Sequence, residues 1–312
     1  STFSEPAGLL GAFTVACGAA ATAASTPAHR GARVVALSLV AGGGLLAVTA
    51  KTAYAPLLLV AVGVCVCTQV GDRRGLSRVA GPVAAVLVVL RAIPLIVTAT
   101  AWQERQYGGI NAHNVVFTLV LPELGPTATA PLGLPVEAMG RSGEGYFVRN
   151  AEDIPGWDAT IGSRPDETLA AAYRLLAANP DVALRAVGVG LQATRGADLT
   201  YLPSLPLGLP ADRYPPMPRY PDDYPVGAQG ADTAGFRAWL DRLTLPWLPA
   251  LTIIVGLAVG ALTALTRRGS PLMRGAALLA GTAATATLGL AVVAVFGDGY
   301  NELPKHVWLA AY

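Results

Sequence analysis

Long apolar stretches separated by short polar connections are the dominant pattern of this 312-residue chain. A helix needs about 20 mainly apolar residues to cross the hydrocarbon core of a bilayer. Six segments approach or reach that length: Ala7–Ser25, Val34–Ala50, Ala53–Val70, Val79–Trp102, Trp247–Thr266 and Ala276–Phe296. The pattern therefore predicts an α-helical polytopic membrane protein with six spans. It leaves room for a seventh span, because another apolar run starts at Val307 near the C-terminus.

Arginines are concentrated in alternate connections between these segments. Residues 26–33, 71–78 and 267–275 together carry eight arginines, whereas the short segments on the other side carry only Lys51 and Lys305. Cytoplasmic loops of membrane proteins are enriched in Lys and Arg, so the arginine loops are predicted to be cytoplasmic. We therefore expect a multi-pass plasma-membrane protein with residues 103–246 outside the cell.

This topology divides the chain into a four-span bundle (1–102), an extracytoplasmic domain (103–246) and a two-span hairpin with an external turn (247–312). It also places Ser1 outside. Because no signal-peptide core precedes Ala7, the topology predicts a further span upstream of Ser1, in a longer protein.

The extracytoplasmic segment is predicted to be mainly helical, either all-α or α+β. Ile110–Pro122 suits a strand or a helix, because a polar start is followed by a β-branched run. Helices are predicted from Pro165 to Asn179 and from Pro180 to about Gly196, since proline suits a first helical turn. The proline-rich stretch Tyr201–Pro225 predicts an extended strap, and Asp232–Leu243 predicts an amphipathic helix in the outer interface.

Composition supports the membrane class and excludes several others. Hydrophobic residues make up 53% of the chain and charged residues 13%, about half the charged fraction of soluble domains. The near balance of 22 basic and 20 acidic residues, without a basic stripe, argues against a nucleic-acid partner. Three cysteines cannot build a disulfide framework, and no metal-site spacing, phosphate loop or nucleophile elbow occurs in the sequence.

Arg91 is the most informative single residue, because it lies near the middle of the fourth predicted span, three residues before Pro94. A midplane arginine costs about 2.5–3.5 kcal/mol on insertion scales, so it is expected to face a cavity or a counter-charge. The functional interpretation is an anion site for the phosphate of a lipid carrier, since the guanidinium suits bidentate phosphate contact. The alternatives are a structural ion pair or an arginine that snorkels to one surface.

Gly297–His306 is the densest titratable stretch of the sequence, and it follows the sixth predicted span. A carboxylate at the membrane surface suits a general base, although a polar turn between two spans would use similar residues. The candidate catalytic residues are Asp298, Glu302 and Glu5. The candidate substrate-binding residues are Arg91, Arg105, His113, Lys305 and His306, and no metal ligands are expected.

Two stretches resemble a group of polytopic, actinobacterial-like envelope proteins described as glycan-biosynthesis hexose transferases. They are Asn111–Pro122 with the later Leu132–Pro135, and Gly297–His306 leading into a last span. The helix pair around Tyr173–Pro180 is similar too. The resemblance implies an external-face transferase of the C-type membrane glycosyltransferase kind that uses a polyprenyl-phosphate sugar. Such enzymes carry an acidic catalytic residue in the first external loop, whereas the turn at Lys51 has none.

Three function classes follow from these observations. The leading hypothesis is a membrane glycosyltransferase of cell-envelope glycan assembly, with a lipid-phosphate sugar donor as its only cofactor-like ligand. The alternative is a non-catalytic accessory or scaffold subunit that binds a protein partner through the external domain. A transporter or flippase is less favoured, because Arg91 is the only charge within the predicted spans. In every case membrane lipid is an expected partner.

Overall fold

The computed structural model describes residues 4–25, 29–67, 79–194, 248–266, 270–301 and 303–307. Regular structure in these ranges is helical, and no strand occurs in them. The α-helices are α1 (Ser4–Ala24), α2 (Arg30–Ala50), α3 (Ala55–Cys67), α4 (Ala80–Asn114), α5 (Leu121–Leu124), α6 (Pro165–Ala178), α7 (Pro180–Ala193), α8 (Leu248–Thr266), α9 (Pro271–Asp298) and α10 (Leu303–Val307). Two π-helical segments, Val115–Val120 and Asp158–Gly162, and several 3-10 turns lie between them.

Four helical segments are long and apolar enough to cross a membrane: Ala7–Ala24, Arg30–Ala50, Ala80–Ala128 and Met273–Asp298. Two further apolar helices, Thr52–Val66 and Ala250–Thr263, are shorter over the described residues. Several long apolar helices are thus a property of the fold, and they are compatible with a membrane protein.

Small residues allow these helices to pack closely. A Cβ atom on Gly11 of α1 would lie 2.8 Å from the carbonyl oxygen of Gly43 in α2, and a Cβ on Gly260 of α8 would lie 2.7 Å from the Cα of Gly281 in α9. Glycine lets two helix backbones approach each other, which is the usual way in which membrane helices associate.

Contacts between the helices define two common levels along the bundle. At one end, the Thr52 hydroxyl donates to Gln103 Oε1 over 2.5 Å, and a Cβ on Gly289 would lie 2.6 Å from Pro56 Cβ. We call this the Gln103 level. At the other end, the Arg33 guanidinium donates to the Ser25 carbonyl over 2.7 Å. On α1, a Cβ on Gly8 would overlap the ring of Tyr54 at the Gln103 level, and Ser25 follows the last residue of the helix. The rise of 1.5 Å per residue from Gly8 to Ser25 separates the two levels by about 25 Å, which is comparable to the thickness of a bilayer core.

Two helices continue well beyond the Gln103 level. At 1.5 Å per residue, α4 extends about 16 Å past Gln103 to Asn114, and α9 extends about 14 Å past Gly289 to Asp298. The predicted boundary at residue 103 therefore does not coincide with a helix end. The stretch Ile110–Pro122, for which the sequence allowed a strand or a helix, is helical.

The extensions of α4 and α9 are enclosed by a second core. The π-helix Val115–Val120 is buried along its whole length, and α6 and α7 pack around it and against α9. The Tyr173 hydroxyl of α6 donates to the carbonyl oxygen of Phe296 over 2.6 Å, and a Cβ on Gly190 of α7 would lie 2.7 Å from Val295.

The predicted helix starts at Pro165 and Pro180 are confirmed, with the break at Asn179 between them. The second helix is described to Ala193. The predicted strap Tyr201–Pro225 and the predicted interfacial helix Asp232–Leu243 lie outside the described residues, as does the predicted seventh span beyond Val307.

Candidate functional site

Asp298 lies where α9 ends, and its carboxylate is the centre of a polar cluster. Asn114 Nδ2 donates to Asp298 Oδ1 over 2.6 Å, and Asn301 Nδ2 donates to Oδ2 over 3.4 Å. His306 Nε2 lies 2.9 Å from the same Oδ2. We call these four residues the carboxylate cluster. It joins the end of α4, the end of α9, the turn that follows α9, and helix α10.

Asn114 is fixed from several sides, which orients its amide toward Asp298. Its Oδ1 accepts the backbone N–H of Tyr146 over 2.8 Å. Because an N–H only donates and a carboxylate only accepts, Oδ1 must face Tyr146 and Nδ2 must face Asp298. The Asn114 carbonyl accepts the Thr118 hydroxyl over 2.7 Å, and Thr118 Oγ1 in turn accepts the Tyr300 backbone N–H over 2.8 Å.

His306 and Asp298 form an imidazole–carboxylate pair at the edge of the cluster. Their side chains are 21% and 16% exposed, and His306 Nε2, the atom that faces Asp298, is itself buried. The Nε2–Oδ2 contact lacks the alignment of a hydrogen bond, which makes it an electrostatic contact that strengthens when the imidazole is protonated. The pair therefore places an imidazole, a common acid–base group of enzymes, directly beside the carboxylate.

Two glycines let the backbone approach the cluster closely. Gly299, directly after Asp298, has φ +61° and ψ −143°, a region that side chains other than hydrogen disfavour. A Cβ on Gly145 would overlap Asn301 Oδ1 and would lie 3.7 Å from Asn114 Oδ1. A larger residue at either position would displace the groups that hold Asp298.

His113 is fully buried beside the cluster and does not face it. The Trp157 indole N–H donates to His113 Nδ1 over 3.3 Å, and His113 Nε2 lies 3.2 Å from the Glu144 carbonyl oxygen. Because Nδ1 must accept and Nε2 must donate, the imidazole is neutral. It also stacks on Phe117 with ring centroids 4.6 Å apart. The structure thus places His113 inside the core, between Trp157 and Phe117, and its substrate-binding role stays a prediction.

A second polar network fastens the turn after Asp298 to α7. The Tyr300 hydroxyl donates to Glu123 Oε1 over 2.9 Å, and Glu123 lies 3.5 Å from the Arg185 guanidinium. Burial, and then the hydrogen bond to Glu123, raise the pKa of Tyr300 well above its usual value of 10, so the hydroxyl remains a donor. This network restrains the backbone that positions Asp298.

Of the residues predicted from sequence, the structure brings Asp298 and His306 together and separates the arginines from them. At 1.5 Å per residue, Arg91 lies about 35 Å along α4 from Asn114, so the two do not share a site. Arg105 is exposed and lies nine residues before Asn114, which places it on the opposite side of the helix. Neither arginine therefore lies beside the carboxylate cluster, and their substrate-binding roles stay predictions.

Of the remaining predicted residues, the structure describes the helical positions of Glu5 and Lys305. Glu5 lies in the first turn of α1, and Lys305 lies in α10 between Leu303 and Val307. Glu302 lies outside the described residues. In the described ranges, no three His, Cys, Asp or Glu side chains are grouped as a metal-ligand set.

Asn114, Asn301 and Gly145 were not singled out from the sequence. Asn114 lies in the polar first part of Asn111–Pro122, a stretch whose pattern is described above. That polar part is the only sequence feature that points to Asn114. The other two carry no chemical signature, because an asparagine after Asp-Gly and a glycine in a loop usually mark turns.

Comparison of the chain with protein-family models, with curated proteins and with solved structures gave no match. The chemistry and position of the carboxylate cluster are therefore the basis for a functional proposal.

Proposed function

We propose that this protein is a membrane-embedded, glycosyltransferase-like enzyme of cell-envelope glycan assembly that uses a lipid-phosphate sugar at the outer membrane face. The observation that carries the proposal is the carboxylate cluster. A partly exposed carboxylate, fixed by Asn114 and paired with His306, is a suitable general base for an acceptor hydroxyl.

The depth of the cluster suits a substrate that is anchored in the bilayer. A bilayer is about 30 Å thick in its core and about 40–45 Å with its headgroups, which leaves roughly 5–8 Å of headgroup region on each side. The phosphate of a polyprenyl-phosphate sugar sits in that region, and its sugar lies farther out. Asp298 is about 14 Å beyond the Gln103 level at 1.5 Å per residue, within the range of that sugar.

The proposed step is a single displacement. The acceptor hydroxyl oxygen forms a bond to the anomeric carbon while the bond between that carbon and the phosphate oxygen breaks. The lipid phosphate leaves with the bonding electron pair. The hydroxyl proton passes to the Asp298 carboxylate, whose side chain is 16% exposed and releases the proton to solvent after the product leaves.

The proposed topology has six spans, with the arginine-rich connections in the cytoplasm and residues 103–246 outside. It is supported by the position of Arg33, which lies at the end of the bundle opposite to the carboxylate cluster. Trp102 and Tyr107 support the Gln103 level as a membrane interface, because both rings are about half exposed and aromatic residues are enriched there.

The proposal is tested by Asp298→Asn, with Asp166→Asn as the matched control because Asp166 is an exposed carboxylate in the first turn of α6. The purified protein is given radiolabelled polyprenyl-phosphate glucose or mannose with hexose oligosaccharide acceptors, and transferred sugar is counted. We expect Asp298→Asn to lose at least about 100-fold in turnover, as general bases typically contribute.

Two results would contradict the proposal. One is equal turnover by Asp298→Asn and Asp166→Asn, with both variants folded by their thermal unfolding midpoints. The other is no transfer by the wild-type protein from either donor.

A second candidate function, a non-catalytic accessory subunit, is favoured by one observation. Phe147 and Val148 are adjacent and are 79% and 65% exposed, on the loop that packs against Asn114. Adjacent exposed apolar side chains often mark a contact with another protein. In that case Phe147→Ser should disrupt envelope assembly in cells, while Asp298→Asn should leave it intact.

A further inference from the structure

The outward face of α4 carries a charge that no described part of this chain balances. Arg91 is exposed, and among the described residues it has neither an ion-pair partner nor a hydrogen-bond partner. Leu87, Pro94, Leu95 and Thr98 are exposed on the same side of the helix, at intervals of three or four residues. Together with Arg91 they define the Arg91 face.

This helix is the least covered of the membrane-length segments. Only 17% of the apolar window that begins at Ala80 is buried inside the protein, against 33% to 39% of the other three windows. The helices that the structure describes therefore leave most of this window open to lipid or to another molecule.

The Arg91 face also contains a backbone acceptor without its helical donor. Pro94 lies inside α4 and has no N–H, so the Leu90 carbonyl lacks its usual hydrogen bond from residue 94. The Pro94 carbonyl accepts the Thr98 hydroxyl over 2.8 Å, but that bond does not serve Leu90. A strong donor group and a carbonyl that lacks its usual helical donor thus follow each other in the apolar part of the helix.

Lipid headgroups are too far away to neutralise Arg91. At 1.5 Å per residue, Arg91 is about 18 Å from the Gln103 level and about 16 Å from the start of α4 at Ala80. Both distances exceed what an arginine side chain spans by snorkelling. The counter-charge must therefore come from within the membrane.

A second copy of this chain does not supply that counter-charge. The six apolar segments contain no Asp or Glu, and a symmetric contact through this face would bring two arginines together. An intramembrane carboxylate from a different helix is the group that complements the guanidinium, through a planar bidentate contact.

We propose that the Arg91 face binds a membrane-spanning helix of another protein that carries an Asp or Glu near the middle of the bilayer. Leu87 and Leu95, one turn on either side of Arg91, supply apolar contacts for that helix. A hydroxyl or amide next to the partner's carboxylate would satisfy the Leu90 carbonyl. This inference depends on α4 crossing a bilayer and not on transferase activity.

The test uses a defined probe, a synthetic poly-leucine transmembrane peptide with one central Glu. The full chain and the peptide are reconstituted in phosphatidylcholine vesicles, and association is measured by energy transfer between dyes on each. We expect the Glu peptide to bind the wild-type protein about tenfold more tightly than an all-leucine peptide. Arg91→Leu should remove that preference, whereas the control Arg105→Leu, beyond the Gln103 level, should keep it.

Three results would overturn the inference: equal binding of the Glu and leucine peptides, an unchanged preference in Arg91→Leu, or loss of the preference in vesicles that contain phosphatidylglycerol. The last result would assign Arg91 to a lipid phosphate. Arg91→Gln serves as a second variant that also removes the charge, and thermal unfolding midpoints confirm that the variants compared are folded.

Discussion

Gly299 is the position at which one added methyl group should disturb both stability and the carboxylate cluster. It follows Asp298 and turns the chain from α9 toward α10. A Cβ there would overlap Thr118 Oγ1 and would lie 2.6 Å from the Asn114 carbonyl oxygen. Both atoms belong to the hydrogen bonds that orient Asn114 toward Asp298. The perturbation we consider is Gly299→Ala.

Gly299→Ala is expected to lower the free energy of unfolding for two reasons. The backbone of Gly299 has φ +61° and ψ −143°, and residues other than glycine in such a region cost about 1–3 kcal/mol. Forcing an extra methyl group into a packed site costs about 1–3 kcal/mol as well. The backbone strain and the steric overlap can be relieved in part by the same local shift, so the two contributions do not add fully. We therefore expect the free energy of unfolding to fall by about 2–5 kcal/mol.

Gly297→Ala is the matched control, two residues before Gly299 and within the last turn of α9. A Cβ on Gly297 would meet no atom within 4 Å, and the residue lies inside α9. Replacing such a glycine by alanine is expected to be neutral or to stabilise the protein by about 0.4–1 kcal/mol.

The assay is thermal unfolding of both variants in the same detergent, followed by tryptophan fluorescence. The midpoint of Gly299→Ala should fall by at least about 4 °C, at roughly 2–4 °C per kcal/mol for a large domain, while that of Gly297→Ala should not fall. Equal midpoints for the two variants would contradict this prediction, because the chemical change is the same and only the backbone conformation and the neighbouring atoms differ.

Three further predictions concern other parts of the structure. Trp157→Phe removes the N–H that donates to His113 Nδ1 and should lower the free energy of unfolding by about 1–3 kcal/mol, measured by denaturant titration. The control Trp102→Phe, at a half-exposed ring, should change it by less. Hydrogen bonds from Arg149 and Arg141 hold the pKa of Glu144 below its usual value of 4.5. Its carboxylate therefore stabilises the fold above about pH 4.5, and this stabilisation is lost as the pH falls through the lowered pKa. The midpoint should therefore fall more steeply with acid in the wild type than in Glu144→Gln, and parallel pH profiles would contradict this. Arg91→Leu should leave sugar transfer within about twofold of the wild type, because distant sites act independently, and its complete loss would show that Arg91 and Asp298 share one site.

Much of the helical architecture follows from the sequence pattern, and the exception is informative. The apolar segments and the helix starts at Pro165 and Pro180 coincide with helices of the structure. The continuation of α4 was missed, because the polar run after Trp102 and the pair Gly108–Gly109 are typical of a loop. Gln, Glu and Arg are good helix formers, however, and here they lie on an exposed helix surface. Polarity marks where a helix leaves an apolar environment, not where it ends.

The candidate site was only half predictable for a related reason. Asp298 and His306 are close in sequence, so their grouping could be anticipated, but Asn114 is 184 residues away from Asp298. The neighbouring His113 shows the second difficulty. Successive residues on a helix point about 100° apart, so His113 enters the core while Asn114 faces the carboxylate. Chemical type alone favoured the histidine.

The length of α4 and α9 beyond the Gln103 level has an electrostatic consequence for the proposed base. A carboxylate in the headgroup layer would lie among lipid phosphates, and neighbouring negative charges raise a carboxyl pKa and oppose the approach of an anionic substrate. By the helical rise Asp298 lies about 14 Å beyond that level, so a headgroup layer of roughly 5–8 Å leaves it about 6–9 Å outside the lipid phosphates. The proposed base therefore lies beyond those phosphates, at a depth that the donor sugar reaches because its own lipid phosphate carries it outward. A helix that ended at the membrane surface would leave the carboxylate among the phosphates, and this is a physical reason for α4 and α9 to continue beyond the Gln103 level.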